Sequence, residues 1–384
     1  MNRQRILAVA YKEWREITRD RLFLSMAFLL PMLMLMVLAW GLSFDVKNIP
    51  FAVLDQDKSA LSRDLLHRFI DSRYFSYRGE VQREAEVDQL LARSDIRFAL
   101  IIPPKFQEHL LSGRSAAVQS LIDGTFPYRA QVSKGYVSAI IGHFNSHLLT
   151  EYMMRRQGVT QQQAQALTQP IQLQIRYLFN QALRSIWSVA TGIMMLVLMV
   201  APALLSVLGV VREKENGSIY NIYTSTISRG EFILGKWMPY FLISFFNMLL
   251  LWGLVVWLFD VPFKGSPGFF LLASMVYVLC TTGIGLLVSL LVKTQVAAVM
   301  LTLVSTMIPA MLYSGLLIPL SSMEESAQIQ AHLFPAMYYL QLTWGIFLKG
   351  LGLKALWGDL VALMIYALVL GGIAYLSFHK RPKQ

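Results

Sequence analysis

Five runs of this chain carry no charged side chain at all, at 22–42, 186–211, 237–259, 269–292 and 294–318. A sixth, 355–378, carries a single one, Asp359. Runs of this length match the apolar core of a bilayer, and a backbone crossing that core must satisfy its own hydrogen bonds, so each run is predicted to be a helix. Only 15% of the residues are charged, against about 25% in soluble domains. The pattern predicts an α-helical polytopic membrane protein with six transmembrane helices.

The first run, Leu22 to Leu42, exceeds the apolar stretch of about 7–15 residues in a cleaved signal peptide, so it is expected to be retained as the first span. Residues 1–21 read as a cytoplasmic amphipathic connecting helix. Ile6, Val9, Ala10, Trp14 and Ile17 share one face, with Lys12, Arg15, Glu16 and Arg19 largely opposite. Such a helix lies in the headgroup plane or acts as a lever into the first span.

Residues 43–185 hold 17 Lys or Arg and 13 Asp or Glu, and read as a small α/β domain with helical stalks inserted between spans 1 and 2. Strands are expected at Ile49–Asp55, Arg97–Ile102 and Ala117–Asp123. A helix is expected at Ser59–Asp71, capped by Ser59, and a long one at Phe126–Arg156. Residues 161–174 are polar and rich in Gln.

Basic residues set the orientation. The N-terminus, the 212–236 segment, Lys293 and the tail contribute 6, 4, 1 and 3, while the short opposite loops contribute only Lys264, Lys349 and Lys354. Positive residues collect on the cytoplasmic side, and long insertions translocate regardless of charge. Both termini, including a 379–384 tail, and the 212–236 segment are therefore expected in the cytoplasm, with 43–185 extracytoplasmic. Residues 319–350 are too apolar for a loop and too interrupted by Pro319, Glu324, Glu325 and Pro335 for a span. Outer interfacial or re-entrant helices fit them.

The net charge of +11 is accounted for by these loops, so nucleic acid is not an expected partner; the lipid bilayer is. The one cysteine, Cys280, cannot form an intrachain disulfide. The spans hold almost no ionisable residues, which argues against a proton- or sodium-driven carrier. The methionines at 32–36 and 194–199 read as packing or lipid-facing residues, with a pliable substrate surface as the alternative. Gly230 to Trp237 nearly matches a phosphate-binding loop, yet Trp237 replaces the Mg²⁺-binding hydroxyl and a polar turn precedes it. No nucleophile–base pattern marks an enzyme. The one metal candidate is His143, His147 and Glu151, spaced to share a helix face; a solvated face explains the same spacing. No cofactor is expected on this chain.

The polar segment itself reads Arg212-Glu213-Lys214-Glu215-Asn216-Gly217-Ser218 and, further on, Glu231-Phe232-Ile233-Leu234-Gly235-Lys236. These boxes resemble the cytoplasmic loop of ABC-2 type permeases, where R-E-x-E-x-G-[TS] precedes a coupling helix and E-x-x-x-G-K precedes the third span. Phe51 to Asp57 with Ser59, Ile101 to Pro104 with Phe106, and Tyr313-Ser314-Gly315 to Pro319 resemble further parts of the same family. The resemblance covers nearly the whole chain, most closely the branch with a large external domain between spans one and two. Where the family often has Leu-Glu after the G-[TS], this chain has Tyr220 and Asn221.

The resemblance implies a permease subunit in the plasma membrane, the bacterial inner membrane, exporting hydrophobic or amphipathic cargo. A separate cytosolic ABC ATPase would bind the ATP and Mg²⁺. It implies a second permease subunit, identical or related, and often a periplasmic adaptor and outer-membrane duct. Arg212, Glu213, Glu215, Gly217, Ser218, Glu231, Gly235 and Lys236 then form the ATPase contact and its supports. A short helix near Ser218–Thr226, anchored by Arg212 and Lys236 at the membrane surface, would carry the push. The competing expectation is a membrane-anchored scaffold or receptor whose external domain binds a ligand or partner.

Overall fold

A computed structural model describes residues 2–42, 45–168, 176, 178–218 and 227–377. In chain order the elements are α1 Arg3–Arg19, α2 Arg21–Gly41, β1 Ile49–Asp55, α3 Ala60–Ile70, β2 Phe75–Glu80, α4 Glu84–Ala92, β3 Phe98–Ile102, α5 Phe106–Leu111, β4 Gln119–Ile122, α6 Pro127–Gln157 and α7 Gln161–Thr168. There follow α8 Ser185–Glu215, α9 Arg229–Trp257, α10 Pro267–Leu291, α11 Gln295–Tyr313, α12 Glu325–Ala331, α13 Pro335–Phe347 and α14 Leu353–Ser377. Residues 1–44 with 177–384 form one compact unit, and 45–176 another.

Among the described residues, six helices of the first unit are long and apolar enough to cross a membrane: α2, α8, α9, α10, α11 and α14. The centre is α8, whose apolar window is 83% buried against 17% for α14. It packs on α2, α9, α10, α11 and α13. Small residues set the closest approach: a Cβ on Gly285 of α10 would fall 2.1 Å from Ser206 Oγ. Ser206 also donates to the Thr282 carbonyl at 3.0 Å.

The 319–350 stretch becomes a short turn at Leu320–Ser322, then α12 and α13. Helix α13 is buried along most of its length. Tyr339 stacks on Tyr277 of α10 at 4.0 Å and bonds Ser274 at 2.8 Å, while Trp344 donates to the Ser188 carbonyl of α8 at 3.1 Å. The fifth span ends sooner than its apolar run suggests. Helix α11 stops at Tyr313 and Gly315 adopts φ +94°, a conformation that only glycine takes without strain.

The second unit has a four-stranded sheet in the order β2-β1-β3-β4, with β1 parallel to β2 and β3, and β4 antiparallel to β3. Both faces of the central strands are covered, so they read as continuous apolar runs. Phe51, Val53, Phe98 and Leu100 pack with Leu65, Phe69, Val137 and Phe144 on one side. Ala52, Leu54, Ala99 and Ile101 pack with Val87 and Ile96 on the other. Ser59 caps α3 through Ser62 N–H. Strand β2 has no counterpart in the sequence reading, because only Phe75 of its six residues is buried and edge strands lack a clear apolar alternation. Helix α7 was likewise hidden in the Gln-rich stretch.

Candidate functional site

The polar boxes are less of a loop than their composition suggests. Arg212 to Glu215 continue α8 as its last turn, and Arg229 to Lys236 form the first turns of α9. Local chemistry explains both ends. Ser228 and Glu231 form a reciprocal capping box that starts α9, and Gly217 leaves α8 at φ +73°. The helix expected near Ser218–Thr226 lies outside the described residues from 219 onward, as do Tyr220 and Asn221.

Each side chain of the turn Arg212–Glu215 grips a different element. Arg212 pairs with Asp20 at 2.6 Å, and Asp20 also accepts from the Phe23 N–H at the head of α2. Glu213 takes Lys12 of α1 at 2.6 Å and Lys236 of α9 at 2.7 Å. Lys214 donates to the Ser289 carbonyl of α10, and to that of Val292 just beyond it at 3.4 Å. Glu215 accepts from Gln295 Nε2 at 2.8 Å, at the start of α11. One helical turn thus ties α8 to five other elements.

The centre of this arrangement is buried. Lys236, with 1% of its side chain exposed, lies 2.5 Å from Glu13 and 2.7 Å from Glu213. Tyr240 donates to the second oxygen of Glu13 at 2.8 Å. Two carboxylates and two ammonium groups balance one another, as buried charges must. Burial pushes the Glu13 carboxyl above its usual range; Lys236 opposes this, and the Glu213 charge reinforces it. Burial lowers Lys12, but its hydrogen bond and attraction to Glu213 outweigh that, so its ammonium is held above the ordinary value.

Glycines let the helices close in. A Cβ on Gly235 would fall 2.7 Å from Val9 Cβ of α1, and one on Gly209 would fall 1.7 Å from the Tyr240 hydroxyl. Glu231 adds a clasp to α1, accepting from the Asn2 N–H at 2.7 Å and the Ser228 N–H at 2.8 Å. Ser218, at the end of the described segment, reaches back to the Glu213 carbonyl at 3.4 Å. An open cavity of about 810 Å³ borders the cluster, lined in part by Glu16, Arg19, Arg212, Asn216 and Ser218.

Lys236 is an internal ion-pair partner rather than an exposed side chain, with Glu213 buried against it. Glu231 is also buried, but against Asn2 and Ser228. Among the boxed residues, Glu215 closes α8, and Gly217 and Ser218 follow its C-cap Asn216. Lys12, Glu13, Asp20, Lys214, Tyr240 and Gln295 were missed by sequence reasoning. Glu13 left a signal: it falls between Val9, Ala10 and Ile17 on the buried face of α1, where a lone carboxylate demands a partner. Trp14, assigned to that same face, is largely exposed.

The metal candidates do not form a cluster. His143 lies against Arg68 at 3.2 Å, and Glu151 pairs with Arg155 at 2.5 Å. Among the described residues, the carboxylates that converge are Glu13, Glu16 and Glu213, and Lys12 and Lys236 already sit among them.

Residues 21–376 match the family model of the ABC-2 family transporter proteins. The probable multidrug ABC transporter permease YbhS of Escherichia coli K12 is 27% identical over 379 residues, covering 98% of this chain and 97% of the relative. YbhR of the same organism, also described as a probable multidrug ABC transporter permease, is 23% identical, covering 98% and 99%. Its inner membrane transport permease YhhJ is 25% identical, covering 86% and 85%.

Proposed function

The chain belongs to the ABC-2 family of transporters, and from that premise we propose that it is the membrane subunit of an ATP-driven exporter. It is a multi-pass ABC permease; a separate ATP-binding subunit supplies the energy, bound where α8 and α9 emerge. Its termini face the cytoplasm, and domain 45–176 lies on the outer side. The cargo is hydrophobic or amphipathic, the class suggested by relatives named multidrug permeases. The functional unit contains two permeases.

One observation carries the coupling part of this reading: the turn Arg212–Glu215 is joined to α1, the head of α2, α9, α10 and α11. A partner that closes on ATP and pushes on 216–228 moves this turn, and the turn cannot move alone. The boxed acidic residues then act chiefly as internal wiring, with Gly217, Ser218 and the residues after them meeting the partner.

Purification from the native membrane in mild detergent, with mass spectrometry of the accompanying proteins, tests the partnership. A soluble subunit bearing a phosphate-binding loop is expected, and it should be lost when 219–226 is replaced by a Gly/Ser linker. Its absence from the unaltered protein under several gentle conditions would favour a scaffold or receptor instead.

A further inference from the structure

Two side chains in the interior of α9 are wholly buried and have no use in the coupling cluster. Ser244 and Asn247 are each 0% exposed. Three residues apart on a helix, they share a face. Ser244 Oγ and both Asn247 amide atoms, Oδ1 and Nδ2, have no hydrogen-bond partner among the described residues. Buried polar atoms are nearly always satisfied, so three orphans on one face mark a place where something else is bound.

Their level in the bundle supplies a second observation. Ile243 shares an apolar cluster with Ala27 of α2 and Leu205 of α8. Met248 and Leu251 share the next cluster with Leu35 of α2 and with Leu198 and Ala201 of α8. Ser244 and Asn247 fall between the two, at the level of Pro31 in α2 and Pro202 in α8. Proline has no N–H to give, so the carbonyls four residues back, Ala27 and Leu198, lose their helical donors. Both of these residues are wholly buried. Three neighbouring spans thus bring uncommitted hydrogen-bonding capacity to one depth, where broken backbone is tolerated only against a polar occupant or protein cover.

We propose that Ser244 and Asn247 form a neutral polar subsite holding one small group that both donates and accepts hydrogen bonds. A trapped water has this chemistry, and so does the hydroxyl or amide of an amphipathic cargo. An ion does not fit, because the charged residues of α9 all lie at or before Lys236, and a charge deeper in the span would go uncompensated.

A cryo-EM map of the full chain in lipid nanodiscs without added cargo, at a resolution that shows ordered water, tests this directly. Density is expected about 2.7–3.2 Å from Ser244 Oγ and from an Asn247 amide atom. It should vanish in the Ser244→Ala/Asn247→Leu variant. A wild-type map with no density there, and with both side chains bonded to protein groups, overturns the proposal; so does density that persists unchanged in the variant. Should the variant fail to fold, the wild-type map alone decides.

A second arm separates the sources, and it alone rests on the exporter reading. Cells expressing wild type or variant are challenged with paired compounds differing by one hydroxyl. Resistance lost by roughly tenfold for the hydroxylated member only assigns cargo, since one orphaned hydrogen bond is worth about that factor. An equal change for both members assigns water. No resistance conferred by wild type would count against the exporter reading and leave the mapped subsite standing.

Discussion

Lys236 is held by two carboxylates at 2.5 and 2.7 Å with almost none of its side chain exposed, and that geometry makes it the most sensitive single position in the cluster. Lys236→Met leaves two buried carboxylates, with Lys12 on Glu213 and only the neutral Tyr240 hydroxyl on Glu13. Removing one partner of a buried pair costs about 3–5 kcal/mol, so a large fall in the thermal midpoint is expected. Adding Glu213→Gln should recover a substantial part of it, because the two residues share one interaction. Independent, additive losses would show that the pairing is incidental.

Gly217 and Gly235 separate two reasons for glycine. A side chain on Gly217 meets nothing within 4 Å, but its φ of +73° strains any L residue by about 1–2 kcal/mol. Gly217→Val is therefore expected to insert, fold and remain detectable in the membrane while redirecting the chain after α8, and export should fall. Wild-type export by this variant would remove Gly217 from the coupling path.

In the 45–176 domain, Asp123 has its carboxyl lowered from 3.8 to about 2 by the Thr125 hydroxyl and N–H, with Arg97 adding to them. A depressed carboxylate contributes stability that is present above the unfolded value and lost as pH falls through the folded one. Unfolding followed from pH 5 to pH 2 should show loss of stability between about 4 and 2. Asp123→Asn should flatten this window, and an identical pH profile in the variant would contradict the assignment.

At the scale of elements, the break between α10 and α11 depends on α8. Lys214 caps the outgoing carbonyls of Ser289 and Val292, and Glu215 receives Gln295 on the other side. Lys214→Met should speed hydrogen exchange at residues 289–298 while leaving α2 unchanged. Exchange confined to its wild-type rate would mean that the elbow is held by apolar packing alone. Elements with their own periodicity were legible in sequence: six apolar runs, strands β1 and β3, and the Ser59 cap. Strand β2 was not, because its outer face is polar and its place depends on pairing with β1.

The buried cluster was legible only in halves. Its boxes could be read as charged and helix-forming, but Lys12 and Glu213 are 201 residues apart in the chain, and no local pattern announces such a pair. Gly235 looked like a motif letter; its physical reason, the close pass of α1, needs the packing to be seen.

At the scale of the whole molecule, the six apolar runs hold one charged residue, Asp359, while the polar turn Arg212–Glu215 is tied to five other elements. This division suits a transporter moved from outside the bilayer. On the proposed reading, a bundle whose spans share one hub responds to a push on 216–228 as a unit, and losing the hub should separate energy use from transport.

The measurement that tests this most directly is ATP hydrolysed per molecule of cargo moved. Vesicles would hold the chain with its co-purified ATP-binding subunit, and the cargo would be a compound to which the unaltered protein confers resistance. The Glu213→Gln/Lys236→Met pair keeps the local charge balanced. It should retain the bound subunit and hydrolyse ATP within about twofold of wild type, yet transport less by about tenfold or more, a loss of the size expected for a coupling free energy. An unchanged ratio of hydrolysis to transport in that variant would contradict the account.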